Sequence, residues 1–154
     1  MDTIADWWRK VSEIGIAKVP DLTGQKLLRL QNRLAFFSAL VVLIQSVNFH
    51  LLGFHYVVFV NLSVVVAYIS CLVLNAAGLA VFSRFYFTAI AFFTISHHHL
   101  YFGFASGFWL FLLNLTQVGF ILFPALQLRK ILLLASIMAA AIITFVVLTV
   151  NVPP

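Results

Sequence analysis

Long apolar runs separated by short polar breaks organise this chain. Five stretches come close to the roughly 20 mainly apolar residues that a membrane-spanning helix needs. They are Leu34–Gly53, Tyr56–Leu74, Phe85–Gly103, Ala105–Leu126 and Ile131–Val150. The breaks fall at Phe54–His55, Asn75–Arg84, Phe104 and Gln127–Lys130, so a tight turn near Gly103–Gly107 must separate the third and fourth runs. The runs are continuously apolar, whereas the strands of a transmembrane barrel alternate in polarity. Helices are therefore predicted, because a helix satisfies its own backbone groups within the membrane. Ahead of the runs, Ile4–Ile16 reads as a short interfacial amphipathic helix, with Trp7 and Trp8 beside Arg9 and Lys10. After Pro20, Asp21 or Thr23 caps a new helix that runs into the first span.

Composition strengthens this picture. Of 154 residues, 64% are hydrophobic and 8% charged, with 17 Phe and a mean hydropathy of +1.11. Soluble domains hold about 45–50% apolar and roughly 25% charged residues. The expected fold is one all-α integral membrane helical bundle. Met1–Arg33 forms a cytoplasmic and interfacial segment, residues 34–150 the bundle, and Asn151–Pro154 an outer tail. The start lacks the features of a secretory signal peptide: its first apolar run comes late, is too long and has no small-residue cleavage pattern. Cys71 stands alone, which excludes a disulfide scaffold.

Charge sets the orientation. The acids Asp2, Asp6, Glu13 and Asp21 all precede the first run. Arg9, Lys10, Lys18, Lys26, Arg29 and Arg33 also precede it, and Arg84, Arg129 and Lys130 fall in two later breaks. Lys and Arg concentrate in cytoplasmic loops, so the amino terminus is placed inside and the carboxyl terminus outside. The net charge of +5 is spread as flanks of apolar segments, which fits a membrane-lipid partner and no nucleic acid.

In that topology the polar residues within the runs gather in the outer half or near the midplane. Gln45, Asn48 and His50 lie in the first span, Asn61 in the second, His97, His98 and His99 in the third, and Asn114 and Gln117 in the fourth. Each amide could simply join two helices, at about 0.6 kcal/mol per bond. Gln45 with Asn48, and Asn114 with Gln117, are spaced i, i+3 and share a helix face. A polar pocket open to the outside is the sharper reading, with Gln45, Asn48, His50, Asn61, His97, His98, Asn114 and Gln117 as ligand-binding candidates. Adjacent helical residues turn by about 100°, so His97, His98 and His99 cannot all face one site. A metal, or a b-type haem between His50 and one of His97, His98 or His99, is a second chemistry open to imidazole. Against it, no outer Arg or Lys is present to pair haem propionates. No paired carboxylates, phosphate loop or Ser-His-Asp set occurs, so no catalytic residue is assigned.

Several short motifs carry a resemblance. Glu13-Ile14-Gly15-Ile16, Pro20-Asp21-Leu22-Thr23 and Leu30-Gln31-Asn32-Arg33-Leu34 come first, followed by Asn61, by Asn75 with Gly78 and Arg84, by Gly103-Phe104-Ala105-Ser106-Gly107, and by Phe123-Pro124 before Arg129-Lys130. Together they resemble the multi-span amino-terminal membrane module of bacterial class III adenylate or guanylate cyclases and sensor histidine kinases. The resemblance implies a multi-pass protein of the bacterial inner membrane, a homodimer, and a cytoplasmic output domain. That family usually has six spans, so a sixth helix beyond Pro154 is expected. The histidine run is a departure from its pattern.

Three functions follow as expectations. The first is a sensor or receptor module that binds a small or apolar ligand from the outer side and shifts helix packing; such a ligand must prefer one packing to another. The second is a haem- or metal-carrying redox module. The third is a passive dimerising anchor. None makes this chain an enzyme by itself.

Overall fold

Thr3 opens the first helix with a reciprocal cap. Its hydroxyl accepts from the Asp6 amide at 3.3 Å while the Asp6 carboxylate accepts from the Thr3 amide at 3.4 Å. The computed structural model describes residues 3–103, together with Ala140 and Thr144. Among these residues all regular structure is helical. α1 covers Ile4–Ser12, a 3-10 turn covers Ile16–Lys18, and α2, α3 and α4 cover Leu22–Leu51, His55–Ala76 and Ala80–Phe102.

Asp21 caps α2, its carboxylate accepting from the Gly24 amide at 2.6 Å. The helix then runs without a break through the first apolar stretch. α2 and α3 end alike. Gly53 and Gly78 adopt φ of 82° and 87°, and the next amide reaches back to close the last turn, Phe54 to the Phe49 carbonyl and Leu79 to the Leu74 carbonyl. A left-handed residue at that position is the glycine stop signal of a helix. α2 and α3 are long and apolar enough to cross a membrane. The fourth and fifth predicted spans, the outer tail, Asn114 and Gln117 lie outside the described residues, except that Ala140 and Thr144 are helical, with the Thr144 hydroxyl donating to the Ala140 carbonyl.

The chain divides into two compact units, Met1–Ile90 and Ala91–Pro154, with α4 crossing the boundary. In the first unit α2 buries Leu28, Ala35, Ala39, Val42 and Ser46, and α3 buries Val57, Asn61, Val64, Tyr68 and Cys71. Both rows follow the three-and-four spacing of one helix face. The opposite faces keep the same spacing but are exposed: Phe37, Leu40, Ile44, Val47 and Leu51 on α2, and Phe59, Leu62, Val66, Ile69 and Val73 on α3. The first turns of α4 join α3 through Tyr68 and Phe87, whose ring centroids lie 5.3 Å apart, and through the Ser70 hydroxyl, 3.3 Å from the Tyr86 hydroxyl. α1 lies against α2, with Trp7 edge-on to Phe36 at 4.8 Å between ring centroids.

Candidate functional site

The densest buried hydrogen bonding in the first unit lies where α1, the start of α2, the end of α3 and the start of α4 meet. Asn32 is fully buried and donates to two carbonyls of the amino-terminal segment, Ser12 at 3.1 Å and Ile14 at 2.9 Å. Its own oxygen accepts from the Asn75 amide at 2.7 Å. The preceding residue, Gln31, donates to the Ser83 hydroxyl at 2.7 Å, and Ser83 donates to the Cys71 carbonyl at 3.1 Å. A buried polar group without a partner costs roughly 1–3 kcal/mol, so these bonds specify one packing of the four segments.

Gly15 completes the joint. It sits at φ 77°, and a Cβ there would overlap the Asn75 carbonyl. The chain can pass over the end of α3 only as glycine. Gln31 Oε1, Asn75 Oδ1 and Arg84 Nε are buried and lack hydrogen-bond partners among the described residues. Arg84 is 5% exposed; burial works against its charge, and the carboxylate of Asp21 partly offsets that penalty.

The pocket residues expected from the sequence are placed as follows. In the first unit Asn61 is fully buried, and among the described residues neither its Nδ2 nor its Oδ1 has a hydrogen-bond partner. Helices α2 and α3 run antiparallel, and the Asn32–Asn75 pair sets their register, which puts Ser46 level with Asn61. Ser46 is buried too, its hydroxyl donating to the Val42 carbonyl at 2.8 Å. Gln45 is half-buried, and Asn48 and His50 are exposed. The spacing that keeps Val42 and Ser46 on the buried face turns Asn48 away from it. His50 meets His55 at the α2–α3 turn, their ring centroids 5.4 Å apart.

In the second unit His98 and His99 are buried and His97 is half-buried. His97 stacks between Phe93 and Tyr101, with centroids 6.1 and 6.3 Å away, as the i, i+4 helix geometry allows. His98 Nδ1 lies 2.7 Å from the Thr94 carbonyl. A carbonyl can only accept, so Nδ1 carries the hydrogen and Nε2 is the acceptor of the neutral ring. Among the described residues no group of three or more His, Cys, Asp and Glu side chains is arranged to hold a metal ion.

The buried joint was missed in the sequence. The sequence pattern places Gln31 and Asn32 in the flank of the first span, and Asn75 and Ser83 in a loop. The available signal was periodicity, since Leu28, Gln31, Ala35 and Ala39 continue one face of the helix. No protein-family model, curated protein or solved structure matches the chain.

Proposed function

We propose that this chain is a membrane-embedded sensor module, in which a polar site between helices adjusts their packing for an output domain on the cytoplasmic side. The membrane setting rests on the outward faces of α2 and α3. Of their most apolar stretches only 22% and 33% of residues are buried, whereas a core helix of a soluble protein would be covered. From Leu34 to Leu51, α2 rises about 26 Å, close to the roughly 30 Å of a hydrocarbon core.

The observation that carries the receptor reading is Asn61. A fully buried amide with neither end paired destabilises the helix pair that holds it, by roughly 1–3 kcal/mol. A passive anchor has no use for such a group, while a ligand polar atom or a water would satisfy it. The motif residues Gly15, Asn32 and Asn75, which carry the resemblance to cyclase and kinase membrane modules, meet in one joint. Such a joint suits a part that passes a change in packing onward.

The test is Asn61→Leu in the reconstituted protein. A site residue kept for binding predicts a higher melting temperature than the parent. A lower one would make Asn61 a packing element and remove the support for a receptor. A Soret band from the purified protein would instead favour the haem-carrying reading.

A further inference from the structure

We infer that Lys26, Arg29 and Arg33 form a seat for anionic phospholipid headgroups at the amino-terminal end of α2. The inference rests on the membrane setting proposed above and adds a lipid partner of stated chemistry. The three bases are spaced i, i+3, i+7 and so share one helix face. That face continues without a change of phase into Phe37, Leu40 and Ile44, each more than 40% exposed. Cation gives way to apolar side chain between Arg33 and Phe37, within one helical turn. An aqueous polyanion could cover the bases but would leave the apolar continuation in water. A bilayer satisfies both halves of the face.

The depth agrees. From Lys26 to Arg33 the helix rises about 10 Å, comparable to a headgroup layer of roughly 5–8 Å per leaflet. α1 is held at the same level. Asn32 binds the carbonyl of the last α1 residue, Ser12, and that of Ile14 just beyond, and Trp7 and Trp8 pack on Phe36, with Trp7 left 45% exposed. Indole rings favour that zone of a bilayer.

The carboxylates nearby are otherwise engaged. Asp6 pairs with Arg9 at 3.2 Å, and Asp21 caps α2 and acts on Arg84. Glu13 reaches Arg29 at 4.0 Å with both side chains well exposed, a contact of little strength in water. Lys26 and Arg33 have no ion pair among the described residues and are exposed. A base near an anionic surface strengthens association about fivefold, so the face should select phosphatidylglycerol over phosphatidylcholine.

The experiment uses the full chain in phosphatidylcholine vesicles and compares the motional restriction of spin-labelled phosphatidylglycerol with that of spin-labelled phosphatidylcholine. The expected result is a several-fold preference for the anionic lipid. It should fall by at least about fivefold in Lys26→Gln/Arg29→Gln/Arg33→Gln and survive in Arg29→Lys/Arg33→Lys at unchanged helix content. Equal association of the two lipids, or a preference that the triple variant keeps, overturns the inference. Competition by inorganic phosphate at constant ionic strength also overturns it, because the site would then take free phosphate. Failure of the chain to insert into vesicles overturns the membrane setting as well; insertion without selectivity overturns only the lipid seat.

Discussion

The Asn75 side chain donates to Asn32 Oδ1 at 2.7 Å, and Asn32 in turn donates to the carbonyls of Ser12 and Ile14. One amide thus binds the end of α3 and the amino-terminal segment to the same turn of α2. α1 is thereby a packed element of the first unit, and a movement of α3 along its axis would be felt at Ser12.

Asn32→Ala should therefore do two things at once. It strands the Ser12 and Ile14 carbonyls and the Asn75 amide, each worth roughly 1–3 kcal/mol when buried unpaired, so the melting temperature should fall. It should also free α1 from Phe36, which tryptophan emission of Trp7 and Trp8 would report. In a cycle with Asn75→Ala the two losses should be non-additive by about 0.5–3 kcal/mol. Additive losses would mean that the 2.7 Å bond contributes nothing to stability.

Two glycines with nearly the same φ should respond differently. Gly15 and Gly53 sit at 77° and 82°, but a Cβ at Gly15 would overlap the Asn75 carbonyl whereas one at Gly53 meets nothing within 4 Å among the described residues. Gly53→Ala should show only the conformational penalty of a left-handed residue, about 1–2 kcal/mol. Gly15→Ala adds displacement of α3, so it should be the more destabilising and should disturb α1. Equal melting temperatures for the two variants would refute the close contact at Gly15.

Part of this was legible beforehand. Asp21 could be read as a cap because its carboxylate precedes a helical run, and that cap with the continuous apolar stretches locates α2 and α3 to within a few residues. The joint was not legible, because it depends on which turn of α2 faces which turn of α3. Asn32 and Asn75 are 43 residues apart and only the fold makes them neighbours. Polar residues inside apolar runs stand out in the sequence, and Asn48 and His50 are two of them. Those two are exposed, while Asn61, also singled out, is buried and unpaired.

Asp21 and Arg84 allow charge to be separated from capping. Asparagine caps a helix about as well as aspartate, so Asp21→Asn keeps the bond to the Gly24 amide and removes only the carboxylate charge. That charge offsets part of the burial penalty on Arg84. The loss should be modest, from a few tenths to about 1 kcal/mol, since Asp21 is exposed. In an Arg84→Met background it should shrink toward zero, and raised salt should mimic it in the parent. A loss that is the same in both backgrounds would show that the two groups do not interact.

The outward faces of α2 and α3 supply the last prediction. Ile44 and Val66 are 54% and 69% exposed, near the middle of the apolar stretches of their helices. In a water-soluble protein a lysine at such a position is nearly neutral, usually within about 0.5 kcal/mol. At the centre of a membrane helix the same change opposes insertion by about 2.5–3.5 kcal/mol. Ile44→Lys and Val66→Lys should therefore sharply reduce the protein recovered in membranes after alkaline extraction. Leu22→Lys, at the polar end of α2 and 76% exposed, should leave recovery unchanged. Because all three substitutions fall on exposed positions and only the two at mid-span should fail, packing damage cannot produce this pattern. Normal recovery of Ile44→Lys and Val66→Lys would show that the two faces do not meet lipid.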